Sequence, residues 1–257
     1  MPIESASATA AFPESAAQTN DTGLVRGEPV ASCSEVTGST PQIKAYVFDI
    51  GETLIDESRI WLRWAQRLGV PVSTFVGLIG AAAALDQPLM GVFELVKPGF
   101  NLNDEEAAWA VAEPASLRSG FDDEDLYPDV IPALSRLRDG GYRVIIAGNQ
   151  PPAALAALRT MKLPVELIAN SAEIGFEKPA PEFFSAVIER AVKLDPALAA
   201  PGSIAYVGDR LDNDVLPAAA SGLVPILIRR GPWGFTHAAR PAAQKVKVID
   251  SLLDLPL

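Results

Sequence analysis

The chain has 257 residues, 49% of them apolar, and carries 21 Lys and Arg against 32 Asp and Glu for a net charge of −11. That length suits one large domain or a domain with an insertion. The charge argues against a nucleic-acid or anionic-membrane surface, which binds through clustered Lys and Arg, but allows a small anionic substrate drawn by a local cation or metal.

The single cysteine, Cys33, cannot form an internal disulfide and suits a reducing compartment, and the single histidine, His237, weighs against a Ser-His pair or a multi-His metal site. Residues 1–41 are Ala, Ser, Thr, Glu and Pro with no sustained period, and carry five acids against one base, Arg26. They bury too little apolar surface to offset their ordering entropy, so a disordered tail is expected. Met1–Ala11 shows no basic stretch leading into an apolar core. The most apolar run, Thr74–Leu85, is too short to span a membrane, and a cytoplasmic protein is expected.

Ala45–Phe48 predicts a strand covered on both faces, as in a parallel α/β sheet, that ends on Asp49 and turns through Gly51. Ligands of open α/β sheets bind beyond the carboxyl ends of the strands, where Asp49 would lie. Taken alone, Asp49 reads equally well as a cap of the following turn. A helical block follows. Ser58–Leu68 has Ile60, Trp61, Trp64, Ala65 and Leu68 at helical spacing; Pro71–Leu85 and Pro88–Val96 each begin near a proline; and Asn103, followed by Asp104, Glu105 and Glu106, predicts an N-cap with acids in the first turn. With no strand in it, residues 57–125 predict a helical cap inserted between two parts of an α/β core, 42–56 and 126–257.

Regular β-α alternation then takes over. A helix over Asp129–Arg138 stops at Gly140-Gly141, and a strand over Tyr142–Ala147 leads into Gly148-Asn149. Next come a helix over Pro152–Met161, a short strand over Val165–Ala169, and Glu177-Lys178-Pro179 before a helix over Pro181–Val192. A strand over Ser203–Val207 ends in Gly208-Asp209, ahead of a helix over Asn213–Ser221 and apolar strands at Pro225–Ile228 and Val246–Ile249. The alternation predicts a doubly wound parallel sheet. Trp61 and Trp64 fit cap or core packing. Arg59 and Arg63, four apart on one helix face, serve either solvent or the cleft. Arg229–Gly234 follows a strand near the catalytic edge and is a candidate binding turn, and His237 is incidental.

Three predicted strands therefore end in polar residues at one edge, Asp49, Gly148-Asn149 and Asp209, and a fourth loop brings Lys178. Singly, Lys178 reads as a surface ion-pair lysine and Asp214 as a helix N-terminal acid; the order of all of them after apolar strands is the specific signal. Asp49-Ile50-Gly51-Glu52-Thr53, Val144–Asn149, Glu177-Lys178-Pro179 and Gly208-Asp209 followed by Asp214 resemble, in order, the four motifs of the haloacid dehalogenase (HAD) superfamily, mostly aspartate-nucleophile phosphatases. The likeness spans about residues 42–230, and the inserted helices are similar to the C1-type cap of that family.

The resemblance implies a Rossmann-like core, Asp49 as nucleophile forming an aspartyl-phosphate, and Mg²⁺ held by the carboxylates of Asp49 and Asp209 and the carbonyl of Gly51. Asp214 would bind through water or hold the geometry, Lys178 would balance the acids, and Gly148 and Asn149 would donate hydrogens to phosphoryl oxygens. The implied substrate is a small phosphorylated metabolite. Two departures stand out. The family's second motif-one aspartate, which protonates the leaving oxygen and later activates water, is Gly51 here, and the motif-two Ser or Thr is Gly148. Glu52 would replace the missing acid only if the turn re-aims it, and a slow enzyme is implied. A 2-haloacid dehalogenase and a non-catalytic binding member of the fold are the alternatives. Retention of Asp209 favours metal chemistry over the dehalogenase. Neither substrate identity nor oligomeric state is written in the sequence.

Overall fold

Side chains along Ala45–Phe48 alternate between two apolar layers, Tyr46 and Phe48 on one side and Ala45 and Val47 on the other, and all four are fully buried. A strand without a polar face belongs in the interior of a helix-flanked sheet. The computed structural model, which describes residues 42–257, places it there. The tail expected to be disordered, 1–41, lies outside the described residues.

In chain order the elements are β1 (Ala45–Phe48), α1 (Ser58–Leu68), α2 (Val72–Ala84), α3 (Leu89–Val96), α4 (Leu102–Ala112), α5 (Val130–Asp139), β2 (Arg143–Gly148), α6 (Pro152–Thr160) and β3 (Leu167–Asn170). They continue as α7 (Ser171–Ile174), α8 (Pro181–Leu194), β4 (Ile204–Gly208), α9 (Leu216–Ala220), β5 (Val224–Ile228), α10 (Gly231–Ala238) and β6 (Lys247–Ile249). The six strands form one parallel sheet in the order β3-β2-β1-β4-β5-β6, the doubly wound α/β arrangement. Helices α8 and α9 cover one face through Phe183, Phe184, Val187, Ala191 and Ala218, while α5 and α6 cover the other.

Helices α1–α4 occupy the chain between β1 and α5, and their apolar residues belong to the same cluster as Tyr46 and Phe48. Trp64 anchors them, its ring 5.0 Å from Phe93, 4.9 Å from Trp109 and 5.7 Å from Phe100 between centroids. Burying such a ring contributes about 1.5–3 kcal/mol, with edge-on aromatic partners adding to it. Trp61 and Trp64 therefore pack. The two arginines beside them bind protein: Arg63 donates to the carbonyls of Arg118 and Gly120, and Arg59 pairs with Asp122, Glu124 and Asp125. Among the described residues no single helix is long and apolar enough to cross a membrane.

Most predicted boundaries move by one or two residues. The α4 cap moves from Asn103 to Asn101, whose side chain accepts from the backbone N–H of Asn103 and Asp104, so the helix starts earlier than its acids suggest. The helix expected from Asn213 begins instead as a π-helical turn, Leu211–Val215, before α9. Wide turns of this kind recur at functional sites.

Candidate active site

Strand register assembles the site. Phe48 sits opposite Ile146 of β2 and Val207 of β4, so Asp49, Gly148 and Asp209 emerge at the same edge. The direction of chain winding reverses at β1, between β2 and β4, which opens a crevice beyond the strand ends. Into it the π-turn directs Asp214, and the loop before α8 directs Lys178. The Lys178 ammonium lies 2.5 Å from Asp49 Oδ1 and 2.6 Å from Asp214 Oδ1, all three side chains being buried or nearly so. Carboxylate oxygens of Asp49, Asp209 and Asp214 fall within 4.8 Å of one another.

Three carboxylates against one ammonium leave surplus negative charge in a buried crevice. Burial, then Asp214 and Asp49, push the Asp209 carboxyl well above the usual carboxylate range, and burial also raises Asp214 against the pull of Lys178. Burial alone would depress Lys178, but Asp214 and Asp49 outweigh it and hold the ammonium above its ordinary range. A hard divalent cation taking oxygen ligands answers such a surplus, and these three carboxylates suit one.

The loops around the cluster hold it rigid. Asn149 pairs with the backbone of Lys178 in both directions: its amide donates to the Lys178 carbonyl at 2.9 Å, and its oxygen accepts from the Lys178 N–H at 2.8 Å. Its side chain thus spends an amide hydrogen on positioning the lysine. Gly148 abuts the nucleophile candidate so closely that a Cβ there would lie 2.5 Å from Asp49 Oδ1. His237 is not incidental, since its buried Nδ1 accepts the Leu211 N–H at 2.9 Å and braces the turn that carries Asp214. Arg230, in the candidate binding turn, faces inward instead. It donates to Thr53 O at 2.7 Å, pairs with Asp129, and lies 4.3 Å above the Tyr127 ring.

Two acids flank Gly51. Glu52 has a left-handed backbone, φ 50°, and both of its oxygens are engaged: Oε1 accepts from the Glu57 N–H at 2.9 Å and Oε2 from the Tyr127 hydroxyl at 2.5 Å. Burial lifts its carboxyl to about 7 in spite of those two donors. Glu57, which the sequence reading passed over, is half-buried with its carboxyl against Gly51. Burial, then Glu52, Asp49 and Asp56, push it up to about 8. An acid at the start of the first helix after the Asp49 turn was the available signal, but only the folded turn brings it back to Gly51.

A cavity of about 590 Å³ opens beside these loops, bounded by Leu102 of α4 on one side and by Asn149, Gln150, Ser171 and Glu177 on the other. The family model for haloacid dehalogenase-like hydrolases matches residues 43–222. A glyceraldehyde 3-phosphate phosphatase of Methanopyrus kandleri is 31% identical over 212 residues, covering 74% of this chain and 86% of that protein. Among solved structures, the HAD-hydrolase YfnB of Bacillus subtilis bound to magnesium superposes with a TM-score of 0.58 at 16% identity, over 83% of this chain and 96% of that one. A dehalogenase with an intermediate complex gives 0.57 at 19% identity, over 84% and 96%. At such identities the two structures share the fold.

Proposed function

Because the chain belongs to the haloacid dehalogenase-like hydrolases, we propose that it is a Mg²⁺-dependent phosphatase that takes the phosphoryl group of a small metabolite onto Asp49. The observation that carries this reading is the convergence of Asp49, Asp209, Asp214 and Lys178 at the winding reversal of the sheet. Mg²⁺ held by Asp49, Asp209 and the Gly51 carbonyl, with Asp214 acting through water or by fixing the geometry, would neutralise the charge of two anions meeting. An Asp49 oxygen then attacks phosphorus, the ester P–O bond breaks, and hydrolysis of the aspartyl-phosphate returns the carboxylate. Lys178 stabilises charge on the group in transfer, and backbone N–H groups at Gly148 and Asn149 bind phosphoryl oxygens.

The Methanopyrus kandleri relative is a glyceraldehyde 3-phosphate phosphatase, and a triose phosphate is the first substrate to try. Displacement at carbon, as in a dehalogenase, brings no phosphoryl charge for three buried carboxylates and a cation to manage. The test is a screen of aryl, acyl and sugar phosphates and 2-haloacids with and without Mg²⁺, in wild type and Asp49→Asn. Mg²⁺-dependent phosphate release that Asp49→Asn abolishes is expected. Halide release without metal, or turnover in Asp49→Asn within tenfold of wild type, would overturn the proposal.

A further inference from the structure

Gly51 is not a glycine for the sake of its backbone. Its φ lies outside the left-handed region, so the chain at this position accommodates a side chain. What stands in the way is one group. A Cβ on residue 51 would lie 2.5 Å from Glu57 Oε1, 3.0 Å from its Cδ and 3.6 Å from Oε2. The first of these is about the distance at which an aspartate holds its own carboxylate oxygen from its Cβ. One oxygen of the Glu57 carboxyl therefore lies where a side chain at position 51 would begin, two residues along the turn from Asp49.

Helix architecture does not explain that placement. Glu57 is the N-cap of α1, where a side-chain oxygen ordinarily accepts from the first-turn N–H groups, yet its carboxyl makes no cap hydrogen bond. Asp56 takes that duty by accepting from the Ser58 N–H at 2.9 Å. The Glu57 backbone is pinned on both sides, its N–H donating to Glu52 Oε1 and its carbonyl accepting from the Trp61 N–H at 2.9 Å. Glu52, the other acid near Gly51, is committed through both oxygens. The main chain is fixed, and the carboxyl is free to serve the crevice.

We propose that Glu57 is the proton donor and acceptor of the reaction, its carboxyl delivered from the start of α1 into the place left open by Gly51. The inference rests on the phosphatase reading above. In the first half-reaction Asp49 attacks phosphorus, the P–O bond to the substrate breaks, its electron pair goes to the ester oxygen, and the Glu57 carboxyl gives that oxygen its proton. In the second, the Glu57 carboxylate takes a proton from water as the water oxygen attacks phosphorus. The acyl-phosphate P–O bond breaks, and Asp49 and inorganic phosphate are released. Alkyl leaving groups need the donated proton; a nitrophenolate does not.

The experiment compares wild type, Glu57→Gln, Glu57→Ala and Gly51→Asp/Glu57→Ala in Mg²⁺, with 4-nitrophenyl phosphate and glyceraldehyde 3-phosphate, each protein first shown to melt cooperatively. Glu57→Gln should lower kcat/KM for the alkyl ester by about 10²-fold or more and for the aryl ester by less than tenfold. With the aryl ester it should also release a burst of nitrophenol as Asp49-phosphate accumulates. The double variant should regain alkyl-ester activity over Glu57→Ala, its carboxylate now carried on residue 51. If wild type turns over both esters but Glu57→Gln keeps their ratio within threefold and shows no burst, the assignment of Glu57 is overturned while the phosphatase reading stands. If wild type cleaves no phosphate ester in Mg²⁺, the phosphatase reading falls and takes the assignment with it.

Discussion

Lys178→Met removes the one ammonium from a crevice holding three carboxylates within 4.8 Å, while keeping an unbranched apolar stem one atom shorter. Two short contacts are lost at once, at 2.5 and 2.6 Å, and Asp49 and Asp214 are left without their shared counter-charge. Deleting one partner of a buried pair costs about 3–5 kcal/mol, and Lys178 serves two acids, so about 4 kcal/mol is expected for the metal-free protein at pH 8. In a folded body of this size that corresponds to a fall in Tm of roughly 10 °C. The loss should shrink at pH 5, because Asp209 and Asp214 are already raised above the usual carboxylate range and neutralise by taking up protons. Mg²⁺ should restore more stability to the variant than it adds to wild type, since the cation replaces the missing positive charge. Urea unfolding in EDTA at both pH values, then in Mg²⁺, reads all three effects. A change below about 1 kcal/mol at pH 8, or an equal loss at both pH values, would refute the picture of Lys178 as the charge that holds the cluster together.

Three further outcomes follow from the same geometry. Millimolar Mg²⁺ should raise the Tm of wild type, and Asp209→Asn should abolish the shift; a shift that survives would remove Asp209 from the cation site. Glu52 and Glu57 have carboxyls raised from 4.5 to about 7 and about 8. The unfolded chain gives up those protons first, so the contribution of these two groups to metal-free stability is fully present below about pH 4.5 and is lost as pH rises through 7 to 8, by a few kcal/mol after allowance for the partial exposure of Glu57. A flat or rising profile of urea midpoints between pH 5 and 8 would contradict this. Arg230→Ala should cost about 3 kcal/mol rather than more, because Asp129 keeps the Ser251 hydroxyl and the Leu252 N–H as donors. A variant within 0.5 kcal/mol of wild type would show that the arginine only decorates the loop.

The sheet was legible because each strand is a short apolar run and its period places alternate residues on opposite layers, as Tyr46 and Val47 do. The candidate residues were legible for a related reason: each follows such a strand directly, and parallel register carries Asp49, Gly148 and Asp209 to one edge. Lys178 and Asp214 could be placed only through the family motifs. What escaped the sequence lies in tertiary contacts. Glu57 reaches Gly51 because Glu52 adopts a left-handed backbone and the turn folds back, which no spacing rule encodes. The inward turn of Arg230 depends on Thr53, Tyr127 and Asp129, and the brace at His237 on a π-turn beginning 26 residues upstream. A lone arginine or histidine in sequence shows neither partner.

Mass spectrometry of protein acid-quenched during turnover of 4-nitrophenyl phosphate in Mg²⁺ shows whether Asp49 becomes the phosphoryl carrier. The mass of one phosphoryl group should appear on the peptide containing Asp49, decay when substrate is exhausted, and be missing from Asp49→Asn and from protein in EDTA. Steady turnover with the phosphoryl group on another residue, or with none on the protein at any quench time, would rule out Asp49 as the carrier.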